Sequence, residues 1–179
     1  MYRKIIFAVT ATFLVFTACQ KQESEPSKQG QATTEETMKS GNSGKNFTAH
    51  LSGDEQVPTP VETNATGQAI FNLRNNGTEL HYKLIVANIE DVFMSHIHLA
   101  PAGSNGPVVV WLYPSLPPPQ LIPGPYNGVL AEGVITKANL VGPLAGMELS
   151  DLIEYFKSGG CYVNVHTLAF PGGEIRGQI

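Results

Sequence analysis

Cationic residues are scarce in this chain. Its 179 residues carry 11 Lys and Arg against 15 Asp and Glu, a formal charge of −4. From Asn46 to Ile179, five Lys and Arg stand against eleven Asp and Glu, so this part of the chain is near −6. Nucleic-acid binding requires basic surfaces that neutralise phosphates. The composition therefore argues against a nucleic-acid partner.

Long hydrophobic runs are also missing, apart from one at the start. The run from Ile5 to Phe16 follows Arg3 and Lys4 and is too short to span a bilayer. This order is typical of a signal peptide, here over residues 1–18. The sequence Phe16-Thr17-Ala18-Cys19 resembles a bacterial lipoprotein box. That resemblance implies lipidation of Cys19, a membrane anchor, and a periplasmic or surface-exposed location in the bacterial cell envelope.

Cysteine occurs only twice, as Cys19 and Cys161. Lipidation of Cys19 would leave Cys161 alone, so we expect no internal disulfide in the mature chain and a fold held by packing. Cys161 alternates with polar residues and shares a strand face with Val163 and Val165, which indicates a small buried hydrophobe. Residues 19–45 contain almost no apolar side chains, which predicts a flexible lipidated tether ahead of a domain at 46–179.

Glycine and proline are plentiful, with 18 and 13 residues, and favour many turns over long helices. Seven or eight segments of alternating apolar and polar residues, separated by turn signals, predict strands. One helix is predicted from Leu149 to Lys157, with Ser150 as its N-cap. The six prolines from Pro114 to Pro125 predict an exposed loop. We predict an all-β fold, an antiparallel Greek-key sandwich or barrel with one short helix.

Three of the five histidines lie in two predicted strands. His96 and His98 alternate with Ile97 and Leu99, so the imidazoles share one face and the apolar side chains the other. The later strand repeats the pattern, with Tyr162, Asn164 and His166 opposite its apolar residues. If the strands are neighbours, three neutral imidazoles converge outside the core, a donor set that suits copper or zinc. With an ordinary histidine pKa near ~6.5, metal affinity should weaken below that pH.

The other aromatic and histidine residues receive structural interpretations. His50 and His81 lie on outward-facing positions of their predicted strands, and we assign them no role. Trp111, in a short apolar run, is interpreted as an anchor of the core or the sheet.

A series of short motifs resembles the CHRD domain, in the right order and from Phe47 to Ile179. The motifs are Leu51-Ser52-Gly53, Val57-Pro58, Ala65-Thr66-Gly67, His96-Ile97-His98, Gly106-Pro107-Val108-Val109, Tyr162-Val163-Asn164-Val165-His166-Thr167 and Pro171-Gly172-Gly173-Glu174-Ile175-Arg176-Gly177-Gln178. The family is named after chordin, a secreted antagonist of growth factors, and includes single secreted bacterial domains. The resemblance implies a secreted binding module.

The order of the histidine motifs is also similar to that of copper/zinc superoxide dismutase, whose copper lies outside a Greek-key barrel. This resemblance implies His96, His98 and His166 as copper ligands and Arg176 beside the copper. The chain has no candidate for the metal-bridging histidine, no zinc-binding cluster between the motifs and no paired cysteines. We therefore carry over the metal site and not the enzyme activity.

Two functions of different classes remain open from the sequence. The first is a module that holds a single copper or zinc ion on the three histidines, with Asn164, Tyr162 and Arg176 as supporting or rim residues. The second is a metal-free domain that binds a protein or polysaccharide partner, in which the imidazoles only hydrogen-bond loops. A superoxide dismutase-like redox enzyme ranks last.

Overall fold

The computed structural model describes residues 46–179. The predicted signal peptide at 1–18, the lipidation site Cys19 and the tether up to residue 45 lie outside the described residues. Among the described residues, no helix has both the length and the apolar character needed to cross a membrane.

Seven strands and one α-helix form the domain within residues 46–179. They are β1 (Asn46–Ser52), β2 (Thr66–Arg74), β3 (Glu79–Leu99), β4 (Val108–Tyr113), β5 (Ile122–Ile135), α1 (Leu149–Lys157), β6 (Cys161–Thr167) and β7 (Ile175–Gln178). Every strand pairing is antiparallel. The predicted all-β, antiparallel fold with one short helix is confirmed.

The long strand β3 belongs to both sides of the barrel. Residues 79–87 pair with β2 and residues 80–92 with β5, whereas residues 95–98 pair with β4 and residues 92–99 with β6. Strands β1 and β7 complete the circuit, because β1 pairs with β2 and β7, and β7 pairs with β6. Between the halves, Asn88 and Asp91 have φ values of 55° and 51°, a region that Asn and Asp tolerate better than other side chains. The register of β3 against β5 shifts at both of these residues, and His96 and His98 follow in the second half of the strand.

The apolar faces of the strands meet inside the barrel, and α1 covers part of this core. Phe156 of α1 packs edge-on against Phe47 and Phe71, with ring centroids 5.3 and 5.2 Å away. Val163 and Val165 are fully buried in β6. Cys161 is buried as well, and burial raises the pKa of its thiol to about 12. Its predicted role as a small buried hydrophobe is confirmed.

Two local predictions were wrong. The N-cap of α1 is Glu148, not Ser150, and the Glu148 backbone N–H donates to Asp151 Oδ2 at 2.9 Å. The proline-rich segment is not a loop throughout, because β5 begins at Ile122 and Pro125 lies opposite Glu90 of β3. Since β5 pairs with β3 alone, a proline whose nitrogen faces away from β3 removes no ladder hydrogen bond.

Candidate metal centre

The side chains of His96, His98 and His166 form one cluster on the face opposite the apolar core. Strands β3 and β6 pair so that His166 lies opposite Met94, Asn164 opposite His96, and Tyr162 opposite His98. One ring nitrogen from each histidine lies within 4.8 Å of the other two. The centroids of the rings are 5.2 to 6.1 Å apart. The predicted convergence of the three imidazoles is therefore present in the fold.

This histidine cluster is buried, which the sequence did not predict. His96, His98 and His166 are 3%, 9% and 5% exposed, and every residue of β6 is buried on both faces. Loops cover the polar face and supply its hydrogen bonds. Gln56 Nε2 donates to Asn164 Oδ1 at 2.7 Å, and Asn164 Nδ2 donates to the Gly172 carbonyl at 3.2 Å. The cluster thus lies in a second, polar interior outside the barrel.

Two of the imidazoles are oriented by backbone carbonyls. His98 Nδ1 donates to the Gly106 carbonyl and His166 Nδ1 to the Pro171 carbonyl, both at 2.9 Å. A carbonyl only accepts, so each Nδ1 carries the proton and each Nε2 carries a free lone pair. Metal-binding histidines use their second ring nitrogen in this same way. Gly106 is required at its position because a Cβ there would clash with the Leu99 carbonyl.

The remaining ring nitrogens are poorly satisfied. His96 Nδ1 lies 3.4 Å from His166 Nε2, which is a long contact for a hydrogen bond. The Nε2 atoms of His96 and His98 are buried and have no hydrogen-bond partner. Buried polar atoms without partners are uncommon in folded proteins. The cluster therefore offers lone pairs on His98 Nε2 and His166 Nε2, and one ring nitrogen of His96 as a third donor.

Burial keeps the imidazoles neutral. It lowers the pKa of His96 to about 3, with a further contribution from the neighbouring imidazoles of His166 and His98. It also lowers the pKa of His166 to about 4, against the opposing effect of the hydrogen bond to Pro171. The pKa of His98 is lowered for the same reason, opposed by the bond to Gly106 and assisted by the charge of Arg176. The expected loss of metal affinity near pH ~6.5 is thus moved to lower pH.

Tyr162 and Arg176 support the cluster from β6 and β7. The Tyr162 ring stacks on His98, and the guanidinium carbon of Arg176 lies 3.5 Å from the centroid of the same ring. Because β6 lies between β3 and β7, the phenol ring separates the guanidinium from the imidazole. Arg176 is only 2% exposed and donates to Asn105 Oδ1 and the Ser104 carbonyl at 3.2 and 2.9 Å. Arg176 is therefore a buried cation behind the cluster, not an open group at its rim.

Trp111 is the neighbour of the cluster that sequence reasoning missed. It pairs with His96 across β3 and β4, and its ring meets the imidazole edge-on with centroids 4.2 Å apart. Trp111 lies on the polar face, so of the two roles predicted for it, an anchor of the core or of the sheet, the structure excludes only the first. Its strand VVVWLY is apolar throughout, so alternation alone marks neither face as the polar one.

The fold is an antiparallel β-barrel domain, and its site is a histidine face covered by loops. The chain belongs to the CHRD family, because the family model of the CHRD domain matches residues 47–179. The resemblance drawn from the motifs is confirmed over the same span. Searches of curated proteins and of solved structures found no match.

Proposed function

We propose that this CHRD domain is a binding module for a single copper or zinc ion, held by His96, His98 and His166. The observation that carries the proposal is the tautomer of His98. Its Nδ1–H is committed to the Gly106 carbonyl, while its Nε2 lone pair is buried, unpartnered and directed into a cluster of two further imidazoles. A metal ion would satisfy that lone pair.

The structural alternative accounts for these contacts less well. If the imidazoles served only to hydrogen-bond the loops, each buried ring nitrogen should have a partner. The two loop contacts, from His98 and His166, use one nitrogen each, and the Nε2 atoms of His96 and His98 remain without a partner. Three neutral nitrogen donors at this separation are instead a donor set typical of zinc and copper sites.

We further propose that the module is held at the bacterial cell envelope through a lipid on Cys19. This part of the proposal rests on the sequence, where Cys19 ends the apolar run and a polar stretch follows. A tether of this composition would let the domain move while it remains attached to the membrane.

Metal titration of matched histidine variants tests the proposal. The full chain should bind one Cu or Zn ion per molecule, and His98→Ala or His166→Ala should weaken binding strongly. His50→Ala and His81→Ala are matched controls, because both remove an imidazole from a strand position outside the cluster and should leave binding unchanged. Thermal melts of the same proteins without metal separate lost binding from lost folding.

Equal binding by all five proteins would show that the cluster is not the site. A wild-type protein that is purified without metal and refuses added metal would favour the second function. That function is a domain that binds a protein or polysaccharide partner without metal.

A further inference from the structure

We infer that the histidine cluster selects monovalent copper, Cu(I), over Zn(II) and Cu(II). The inference rests on the proposed function, because it specifies which ion the same three residues hold. Four features of the site support it: the donor set is neutral, it is buried, it has three donors, and the cation Arg176 is buried behind it.

The donor set carries no negative charge. His98 and His166 keep their Nδ1 protons on the carbonyls of Gly106 and Pro171, so they supply lone pairs as neutral rings. Within residues 46–179, the group of closely placed potential ligands contains these histidines and no carboxylate or thiolate. A bound ion therefore keeps its full formal charge, because nothing in the group neutralises it.

Burial makes that charge costly. The three rings are 3% to 9% exposed, so water contributes little to the solvation of the ion. The free energy of moving an ion from water into a medium of low dielectric constant grows with the square of its charge. Desolvation of a divalent ion is therefore about four times as unfavourable as that of a monovalent ion of similar size. The neutral site thus disfavours Zn(II) and Cu(II).

The number of donors acts in the same direction. Zn(II) requires four ligands in closed sites, and Cu(II) prefers four or more in a tetragonal arrangement. Among the His, Cys, Asp and Glu side chains of the described residues, the cluster contains three. Cu(I) has a filled d shell without a directional preference, and it accepts three nitrogen donors in a plane.

Arg176 adds a positive charge behind the cluster. The hydrogen-bond acceptors of its guanidinium are neutral: Asn105, Ser104 and Gln178. The carboxylate of Glu55 acts on it electrostatically and favours its charged form, without a hydrogen bond to it. The nearby Glu174 accepts hydrogen bonds from the hydroxyls of Thr63 and Thr167, and it is not in the ligand group. A unit charge one aromatic ring away, at an effective dielectric constant of about 20, should disfavour the second charge of a divalent ion by roughly tenfold in affinity.

Competition titrations test this selection directly. The protein is the full chain with Cys19→Ser, a substitution that removes a competing thiol. It is titrated anaerobically with Cu(I) in the presence of the competing chelator bicinchoninate, and with Zn(II) in the presence of the chelator zincon. We expect one Cu(I) per chain, bound more tightly than Zn(II) by more than the roughly tenfold that Arg176 alone contributes. The preference for Cu(I) over Cu(II) is measured as a reduction potential. For the couple Cu(II) + e⁻ → Cu(I), each tenfold higher affinity for Cu(I) than for Cu(II) raises the reduction potential of the bound ion by about 59 mV.

Arg176 variants test the electrostatic part. Arg176→Gln should lower the ratio of Cu(I) to Zn(II) affinity by roughly tenfold, whereas Arg176→Lys keeps the charge and should keep the ratio. Lys83→Gln is the matched control, since it removes an exposed cation from the first half of β3. An unchanged ratio in folded Arg176→Gln would overturn the role of Arg176. If that variant does not fold, the wild-type ratio still decides the inference.

The outcomes distinguish the inference from the proposed function. Zn(II) bound as tightly as Cu(I), with both lost in His98→Ala, would overturn the selection and leave the metal site standing. A wild-type protein that binds neither ion would overturn the metal site itself.

Discussion

The phenol ring of Tyr162 lies flat on the imidazole of His98, with centroids 4.8 Å apart and ring planes 8° from parallel. The hydroxyl of Tyr162 accepts a hydrogen bond from the Gly106 N–H at 3.2 Å, and the Gly106 carbonyl accepts the His98 Nδ1–H. Tyr162 therefore fixes His98 twice, once through its ring and once through the loop residue that selects the tautomer.

The hydroxyl of Tyr162 should matter more for metal affinity than for stability. Tyr162→Phe keeps the stacked ring but releases Gly106, so metal affinity should fall by about 10- to 100-fold. The free energy of unfolding should fall by only about 1 kcal/mol. Metal titration and urea denaturation measure the two effects. Tyr126→Phe, which removes a hydroxyl bonded to the Val129 carbonyl, is the control and should bind metal as the wild type does.

Neighbouring residues on the two faces of β6 should both be sensitive to substitution. Val165→Asp places a charge in the apolar core and should prevent folding. Asn164→Ala removes the partners of Gln56 and Gly172, so it should destabilise the domain by about 1–3 kcal/mol. Urea midpoints of the two variants give the result. An Asn164→Ala protein as stable as the wild type would show that the loops do not depend on this contact.

Stability should fall in acid before metal affinity does. The folded pKa values of His96 and His166, about 3 and about 4, lie below the ordinary 6.5, so the unfolded chain binds protons first as the pH decreases. Stability is thus complete above about pH 6.5 and is lost as the pH falls towards those folded values, by about 1.4 kcal/mol per pH unit for each group.

Urea unfolding between about pH 7.5 and about pH 5, paired with metal titration at each pH, measures both quantities. His166→Gln should flatten part of the stability slope, because it removes one of the groups whose pKa is lowered in the folded state. The contrary outcome is a metal affinity that falls near the ordinary histidine pKa while stability stays constant. It would mean that water reaches the imidazoles and that their pKa values are not lowered by burial.

Trp111 should report on copper. It is the single tryptophan of the chain, and its ring contacts His96. Cu(II) quenches a nearby indole and Zn(II) does not, so its fluorescence should decrease in proportion to bound Cu(II) and stay constant with Zn(II). The His98→Ala variant provides the background titration. Equal quenching of that variant would place the copper elsewhere.

The lipid anchor has its own test. Wild-type protein expressed in bacteria should incorporate a palmitate analogue, and Cys19→Ser should not. Cys161→Ser is the control for the second cysteine, which is buried in the domain. A wild type without label would end the anchor proposal.

The sequence was sufficient to predict the parts of the site that strand alternation determines. Period-two patterning placed His96, His98 and His166 on one face and Val163 and Val165 on the other, and the structure agrees. The same rule could not place Trp111, because its strand β4 is an uninterrupted apolar run in which neither face is marked as polar. Alternation cannot predict, however, which loops cover the polar face of the strands, because those loops come from distant parts of the chain.

The contacts that alternation could not predict are those made by loops. Gln56 reaches Asn164 over 108 residues, and Asn105 reaches Arg176 over 71. No local pattern links such residues, so the burial of the cluster and its lowered pKa values were not predictable. The hydrogen bonds from His98 and His166 to the carbonyls of Gly106 and Pro171 were not predictable either. Every residue has a backbone carbonyl, and only the fold brings these two next to the imidazoles.

The sharing of β3 between the two sides of the barrel bears on the route by which the proposed ion would enter and leave. Residues 80–86 are paired on both edges, by β2 and β5, and residues 95–98 are paired on both edges, by β4 and β6. Strand separation at the histidines would require breaking ladders on both sides of β3, which is close to global unfolding. The loops with Gly106 and Pro171 each hold the cluster by few bonds. If the cluster holds an ion as proposed, exchange of that ion should depend on the opening rate of these loops and be insensitive to the stability of the barrel.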